Sequence, residues 1–439
     1  MESSSQLYPY YLEHPHVSTD SRKIAEGDLF FALSGPKFDG NAFALQALAD
    51  GASYAVVSSK ELAEREPRCL FVPDTLVALQ ELARTHRAHL DIPVIGITGT
   101  NGKTTTKELT KAVLSRKYNL LATEGNLNNH IGVPLTVLRI TKEHEMALVE
   151  MGASAPGEIA FLCSIARPTH GLITNVGKAH LEGFGSVEGV LRTKSELPSY
   201  LKEHGGYYFL NSDDARLFAK WAAFAGMRYG TDGAKGPVLS CSILRDHPFL
   251  GIRIETPKGV FEAETHLTGR YNYQNVLAAT SIGLHFDVPI SEIKEAVEAY
   301  RPSNSRSQVI EWRDGVTVIM DAYNANPSSM IAALGNLAEL SSEPKIAILG
   351  DMLELGTASV EEHTVLIDWL IRHETISPYL VGGEFAKASN GRFPSYDTSE
   401  SLVSRLSELE VKPGATILIK GSRGIALEKV LSALEANYK

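Results

Sequence analysis

Cysteine is nearly absent from this 439-residue chain: Cys69, Cys163 and Cys241 are its three thiols. Thiols so few and so widely spaced make neither a disulfide framework nor a zinc ribbon, and they point to a reducing compartment. Long apolar runs are missing too; none approaches the roughly 20 residues that a membrane-spanning helix needs. The opening stretch MESSSQLYPYYLEHPHVSTDSR lacks the basic and then apolar segments of a secretory signal. A cytoplasmic protein without a membrane span is therefore expected. Positive charge is in deficit, with 42 Lys and Arg against 52 Asp and Glu, a formal net charge of −10. That balance disfavours nucleic acid as a partner, since tracking a phosphate backbone takes many cations. It leaves room for a phosphate ligand, because a few backbone N–H groups and one Lys can hold a triphosphate locally. No Gly-x-Ser-x-Gly string and no Cys/His nucleophile signature occurs, so covalent catalysis by a side chain is not expected.

What is present is ordinary globular composition, 44% hydrophobic and 21% charged, in a chain too long for one core. Short apolar runs alternate with helical periodicity almost throughout. This predicts an α/β class with three domains. A small N-terminal α/β domain spans 1–91. A central P-loop domain on a parallel sheet spans 92–301, with an antiparallel patch over 237–267 at its edge. A C-terminal Rossmann-like α/β domain spans 302–439. Asp91-Ile92-Pro93 and Arg301-Pro302 mark the boundaries, because the residue before Pro is pushed out of helical conformation.

The strongest local signal is Gly96-Ile97-Thr98-Gly99-Thr100-Asn101-Gly102-Lys103-Thr104-Thr105-Thr106. It follows a β-branched run and opens a helix, the context a P-loop requires. Gly99, Thr100, Asn101 and Gly102 would turn backbone N–H groups toward one anion at a helix N-terminus. Lys103 would bridge the β- and γ-phosphates, and the hydroxyl of Thr104 or Thr105 would sit on Mg²⁺. The strict motif has Gly where this chain has Ile97, so the loop is a variant. The alternative is a plain glycine-rich turn. Asn175-Val176-Gly177-Lys178 does not match a guanine-reading Asn-Lys-x-Asp, so ATP is favoured over GTP.

Three further residues fall near the ends of successive strands, where ligands of parallel sheets bind. Glu150 ends one strand and would suit Mg²⁺ as a hard oxygen ligand. His180 follows the next, in Thr174-Asn175-Val176-Gly177-Lys178-Ala179-His180. Lys194 lies 14 residues beyond it. Taken alone, each could equally be an exposed carboxylate, a satisfied imidazole and a solvated cation.

Together these strings resemble the Mur ligases, ATP-dependent amide ligases of peptidoglycan precursor synthesis, over essentially the whole chain. Thr123-Glu124-Gly125-Asn126-Leu127-Asn128-Asn129, Asp321-Ala322-Tyr323-Asn324-Ala325-Asn326-Pro327, Ile348-Leu349-Gly350-Asp351-Met352 and Lys420-Gly421-Ser422-Arg423-Gly424 fit the branch that adds D-alanyl-D-alanine to UDP-N-acetylmuramoyl-tripeptide. The Asp-Asn-Pro-Arg string of the tripeptide-forming branch is missing. That sibling and a folylpolyglutamate synthase-like ligase are the alternatives.

The resemblance implies roles. Lys194 would be carbamylated by CO₂, turning a cation into an anionic oxygen ligand. His180 would join it at one of two Mg²⁺ ions, with Glu150 on the ATP side and Lys103, Lys194 and His180 the catalytic set. Asn275 would contact adenine, and Arg306 and Asp321 would reach the nucleotide from the third domain. Arg306 stands in Asn304-Ser305-Arg306-Ser307, where the family has Gly before Arg. Thr19, Asp20, Ser21 and Arg22, with Asn128 and Asn129, would hold the UDP substrate. Asn324, Asn326, Ser422 and Arg423 would meet the dipeptide. A monomer is expected, with large domain closure on binding.

Overall fold

The computed structural model describes residues 2–438 except Lys37, Asp232, Pro237, Ser303, Asn304, Ser305 and Glu410. Asn304 and Ser305, which flank Arg306, and Pro237, which begins the expected antiparallel stretch, thus lie outside the described residues. Three sheets follow one another along the chain. The first holds four parallel strands in sequence order: Val17–Ser18, Leu29–Phe31, Tyr54–Val57 and Cys69–Phe71.

The central sheet has nine strands. Val94–Thr98 lies between His170–Ile173 and Met146–Glu150, parallel to both. All five of its residues are buried, as a strand covered on both faces requires. The far edge is antiparallel, where Leu239–Arg245, Gly251–Thr256 and Gly259–Glu264 pair in turn. The third sheet places Thr416–Lys420 between Thr317–Asp321 and Lys345–Gly350, all parallel. Its antiparallel edge strand is Gln308–Glu311.

The first region is bolted to the second. Its helix Thr75–Ala88 packs against Gly132–Leu138 and Glu158–Ala166. One apolar cluster runs across the 91/92 boundary and joins Leu79 and Leu82 to Val133, Val137, Ile159 and Leu162. Arg87, buried, donates to the carbonyls of Ala166 at 2.8 Å and Leu90 at 2.6 Å. A helix spans Glu2–Glu13 with Pro9 inside it. Tertiary contacts stabilise it: Leu7 and Tyr11 are buried, and the Tyr11 hydroxyl donates to the Leu138 carbonyl at 2.6 Å.

This arrangement aims two sets of strand ends at one place. Thr98, Glu150 and Ile173 end neighbouring central strands. Asp321 and Lys420 are register partners at the ends of neighbouring third-domain strands. A cleft of about 990 Å³ lies between them.

Candidate functional site

The P-loop forms the floor of the cleft. Gly99 and Gly102 have φ of 144° and 78°, values an L side chain rarely adopts. Space demands glycine as well. A Cβ on Gly99 would run into the Thr174 hydroxyl, and one on Gly102 would lie 2.5 Å from Asn275 Oδ1. Gly102 caps the helix Lys103–Leu114, so the helix N-terminus opens on the cleft with its favourable dipole for anions. The Lys103 ammonium donates to the carbonyls of Gly99 at 2.7 Å and Thr100 at 3.1 Å. Burial pulls its pKa down to about 8; Arg306 pushes the same way and Glu150 opposes.

Glu150 is 1% exposed. Its carboxylate accepts from the Thr104 hydroxyl and from the Asn128 amide, both at 2.9 Å. The structure thereby separates the two threonines: Thr104 faces the carboxylate, and Thr105 lines the cleft. Asn101 is fixed by the next strand end. Its N–H donates to Asn175 Oδ1 at 3.0 Å, and its carbonyl accepts from the Thr174 hydroxyl at 2.6 Å. Asn275 is likewise held on both sides of its amide, accepting from Thr106 at 3.0 Å and donating to Asn272 at 2.7 Å.

The third domain supplies the opposite wall. Lys420, 2% exposed, donates to Asp321 at 2.5 Å. Asp321 also accepts from the Ser307 N–H at 3.2 Å. The guanidinium of Arg306 lies 3.9 Å from the centre of the Tyr323 ring, with that of Arg423 at 5.4 Å. Asn326 caps the helix Pro327–Glu339 through a capping box with Ser329. Its amide also crosses the cleft and donates to Asn101 Oδ1 at 2.8 Å.

Lys194 and His180 complete the constellation from the central domain. Lys194 is 2% exposed, and its amine has a 3.4 Å contact with the Ala153 carbonyl and lies 5.5 Å from the Phe184 ring centre. Burial and then Lys103 hold its pKa well below the usual lysine value. His180 has a φ of 48°, and its Nδ1 is 2.5 Å from Glu354 of the third domain. That close approach holds the Glu354 carboxyl below its usual range.

Family models match in three consecutive stretches: Mur ligase family, catalytic domain, over 15–87; Mur ligase middle domain over 97–283; and Mur ligase, glutamate ligase domain, over 305–423. UDP-N-acetylmuramoyl-tripeptide--D-alanyl-D-alanine ligase of Escherichia coli is 36% identical, covering 96% of this chain and 94% of that protein. The protein of the same name from Bacillus subtilis is 33% identical, covering 95% and 92%. The chain belongs to the Mur ligase family. It is an enzyme of that ATP-dependent ligase class. Solved structures agree. A crystal structure of MurF from Acinetobacter baumannii matches with a TM-score of 0.86 at 31% identity, covering 98% of both chains. The Thermotoga maritima MurF ligase in complex with ADP matches with a TM-score of 0.84 at 28% identity, covering 97% of this chain and 98% of that one.

Within this Mur ligase, the expected residues divide. Thr100, Asn101, Gly102, Lys103, Thr105, Asn128, Asn129, Glu150, His180, Asn275, Arg306, Asp321, Asn324 and Asn326 share the cleft lining. Gly99, Thr104 and Lys194 lie behind it, as backbone turn, Glu150 partner and buried amine. Thr19, Asp20, Ser21 and Arg22 are not among the lining residues; Asp20 and Arg22 pair with each other at 2.8 Å at the surface. Asn129 lines the cleft but spends its side-chain oxygen on the N–H groups of Ile131 and Gly132. Ser422 is buried and accepts from the Leu353 N–H at 2.9 Å, away from the lining. Arg423 approaches only through Tyr323.

Sequence reasoning passed over Tyr271, Tyr323, Glu158 and Glu354, all of which line the cleft. Tyr323 and Glu354 could have been found, because each stands within or beside a quoted string. Tyr271 and Glu158 carry no local signal.

Proposed function

We propose that the chain joins D-alanyl-D-alanine to UDP-N-acetylmuramoyl-tripeptide at the expense of ATP, in the cytoplasm, releasing ADP and phosphate. What carries this reading is one cleft in which a P-loop and a buried carboxylate face an Arg, an Asp and an Asn of the third domain, with a buried lysine behind the lining. The full-length likeness to ligases of that name supports the same substrates. The domains would divide the ligands: UDP moiety on 1–91, ATP on 92–301, and the dipeptide with part of ATP on 302–439.

The chemistry asks two things of the residues. A carboxylate is a poor acyl donor until its oxygen is phosphorylated, after which phosphate is the leaving group. Lys103 and the loop N–H groups would hold the phosphates in line with that oxygen, and the ammonium would offset charge on the transferred group. The free amine of the dipeptide then attacks the acyl carbon, loses a proton and expels phosphate. Arg306 and Asp321 would hold the nucleotide, Asn275 the adenine, and Asn324 and Asn326 would steer the amine.

The residues fit magnesium: Thr104 and Glu150 offer hard oxygens and His180 a ring nitrogen. Bound there, two Mg²⁺ ions would neutralise phosphate charge. Lys194 fits its expected modification. Only an unprotonated amine adds to CO₂, and its low pKa favours that form. The new N–C bond costs the neutral amine one proton and leaves an anionic oxygen donor in its place.

Purified protein given ATP, UDP-N-acetylmuramoyl-tripeptide and D-alanyl-D-alanine should release phosphate only when all three are present. Release that instead follows a single amino acid, or folate with glutamate, overturns the reading.

A further inference from the structure

The loop 123–131 of the central domain supplies Asn126, Asn128, Asn129 and His130 to the cleft lining. Asn126, Asn129 and His130 are exposed there. The backbone of this loop is caught at three places. At its start, the Lys107 ammonium donates to the Thr123 carbonyl at 2.6 Å. In its middle, the Gly152 N–H donates to the Asn128 carbonyl at 2.8 Å. At its end, the Gln80 amide donates to the His130 carbonyl at 2.9 Å. Lys107 stands one turn beyond Lys103 on the helix Lys103–Leu114. Gln80 belongs to the first region, on the helix Thr75–Ala88.

Packing alone does not account for either side chain. Lys107 is 0% exposed and Gln80 6%. Burying an ammonium or an amide carries a desolvation cost that a Met of the same reach would not. What the polar groups add is a directed bond, with the Lys107 charge also met by Glu108 at 2.9 Å. Thr123 passes the constraint on, because its hydroxyl accepts from the Glu150 N–H at 3.0 Å. Asn128 returns it by donating to the Glu150 carboxylate. A bond to a main-chain carbonyl fixes backbone rather than one rotamer, so each anchored end places several cleft side chains at once.

We propose that Lys107 and Gln80 are positioning residues that clamp the two ends of this loop, so that its side chains meet UDP-N-acetylmuramoyl-tripeptide at a fixed distance from the phosphate loop. This rests on the reading of the loop as part of the UDP-substrate site. The two clamps come from different domains and act on one element, so they should share one kinetic signature. The phosphate loop is held separately, by Thr174 and Asn175 on Asn101. The effect should therefore fall on the UDP-substrate rather than on ATP.

Steady-state kinetics of the full-length protein test this, with thermal unfolding run on every variant. Lys107→Met and Gln80→Met keep the length and remove the donor. The KM for UDP-N-acetylmuramoyl-tripeptide should rise about tenfold in Lys107→Met and about fivefold in Gln80→Met, the scale of one charged and one neutral hydrogen bond. The KM for ATP should stay within about twofold, and kcat should fall less than the first KM rises. Equal rises in both KM values that track a loss of thermal stability mean general loosening and overturn the proposal. So does a KM for the UDP-substrate that rises in only one of the two variants, or in neither. If Asn126→Ala, Asn129→Ala and His130→Ala all leave that KM unaltered while the native protein turns over, the loop does not grip the substrate, and the proposal falls with the activity intact. If the native protein releases no phosphate from the three substrates, the proposed function itself fails and the clamp with it.

Discussion

On the central wall of the cleft, Glu150 is sealed from water and its charge is met by neutral donors, Thr104 and Asn128. On the third-domain wall, Asp321 meets the cation of Lys420, and Arg306 lies over an aromatic ring. One wall thus holds a carboxylate by neutral hydrogen bonds, with the Lys103 ammonium near but not paired to it, and leaves it for a ligand. The other spends its carboxylate on a fixed ion pair and offers a guanidinium. The difference teaches where a cation could join the phosphate loop: beside Glu150, and not beside Asp321.

The largest effects should come from the central wall. Lys103→Ala and Lys194→Ala are each expected to lower product formation about 10³-fold, the scale of losing one preorganised electrostatic contact or more. Phosphate release with all three substrates measures it. Thermal stability should not fall with activity in Lys103→Ala, because that change removes a desolvated cation. A Lys194→Ala enzyme that keeps turning over would end the carbamate assignment.

Stability should break on the other wall. Asp321→Ala strands the buried Lys420 ammonium, with only a 3.4 Å contact to the Asn324 carbonyl remaining. Breaking such a pair costs about 3 kcal/mol. Glu150→Gln leaves one of two neutral donors without its acceptor and should cost about 1 kcal/mol. Urea unfolding of the two variants compares the walls directly; equal losses would erase the distinction.

Acidity gives a third handle. Lys103 has a pKa of about 8 in the protein without nucleotide, and bound phosphates would raise it. Binding then takes up a proton above pH 8, so nucleotide affinity falls as pH rises through that value, by at most tenfold per unit. Below pH 7 the ammonium is already formed and affinity should be flat with respect to this group. Calorimetry in buffers of different ionisation heat detects the proton directly.

The same contrast governs what could be read from sequence. The central wall was legible because its chemistry is contiguous: the loop 99–105 follows its strand, and Glu150 and His180 sit at or just past strand ends. The parallel sheets and the antiparallel edge were legible for a similar reason, since periodicity is local. The third wall depends on pairings across sequence, such as Asp321 with Lys420, which no spacing reveals. Strings also mislead about direction. Ser422 lies in a quoted motif, yet its hydroxyl turns inward to Leu353. Asp20 and Arg22 pair with each other, and Thr19, Asp20, Ser21 and Arg22 all lie off the lining.

The smallest expected effect tests the joint between the walls. Asn326 holds the end of its own helix and also donates to Asn101 across the cleft. Asn326→Ala should lose about 1 kcal/mol for the cap alone. The cross-cleft bond adds a further amount of about 1 kcal/mol. A cycle of Asn326→Ala, Asn101→Ala and the double variant separates the two, because the cap survives in Asn101→Ala. A coupling near 1 kcal/mol means the P-loop itself senses the third domain. Coupling near zero would leave docking to the contacts at Lys178 and His180, and would move the communication between walls from the phosphate loop to the loop 175–182.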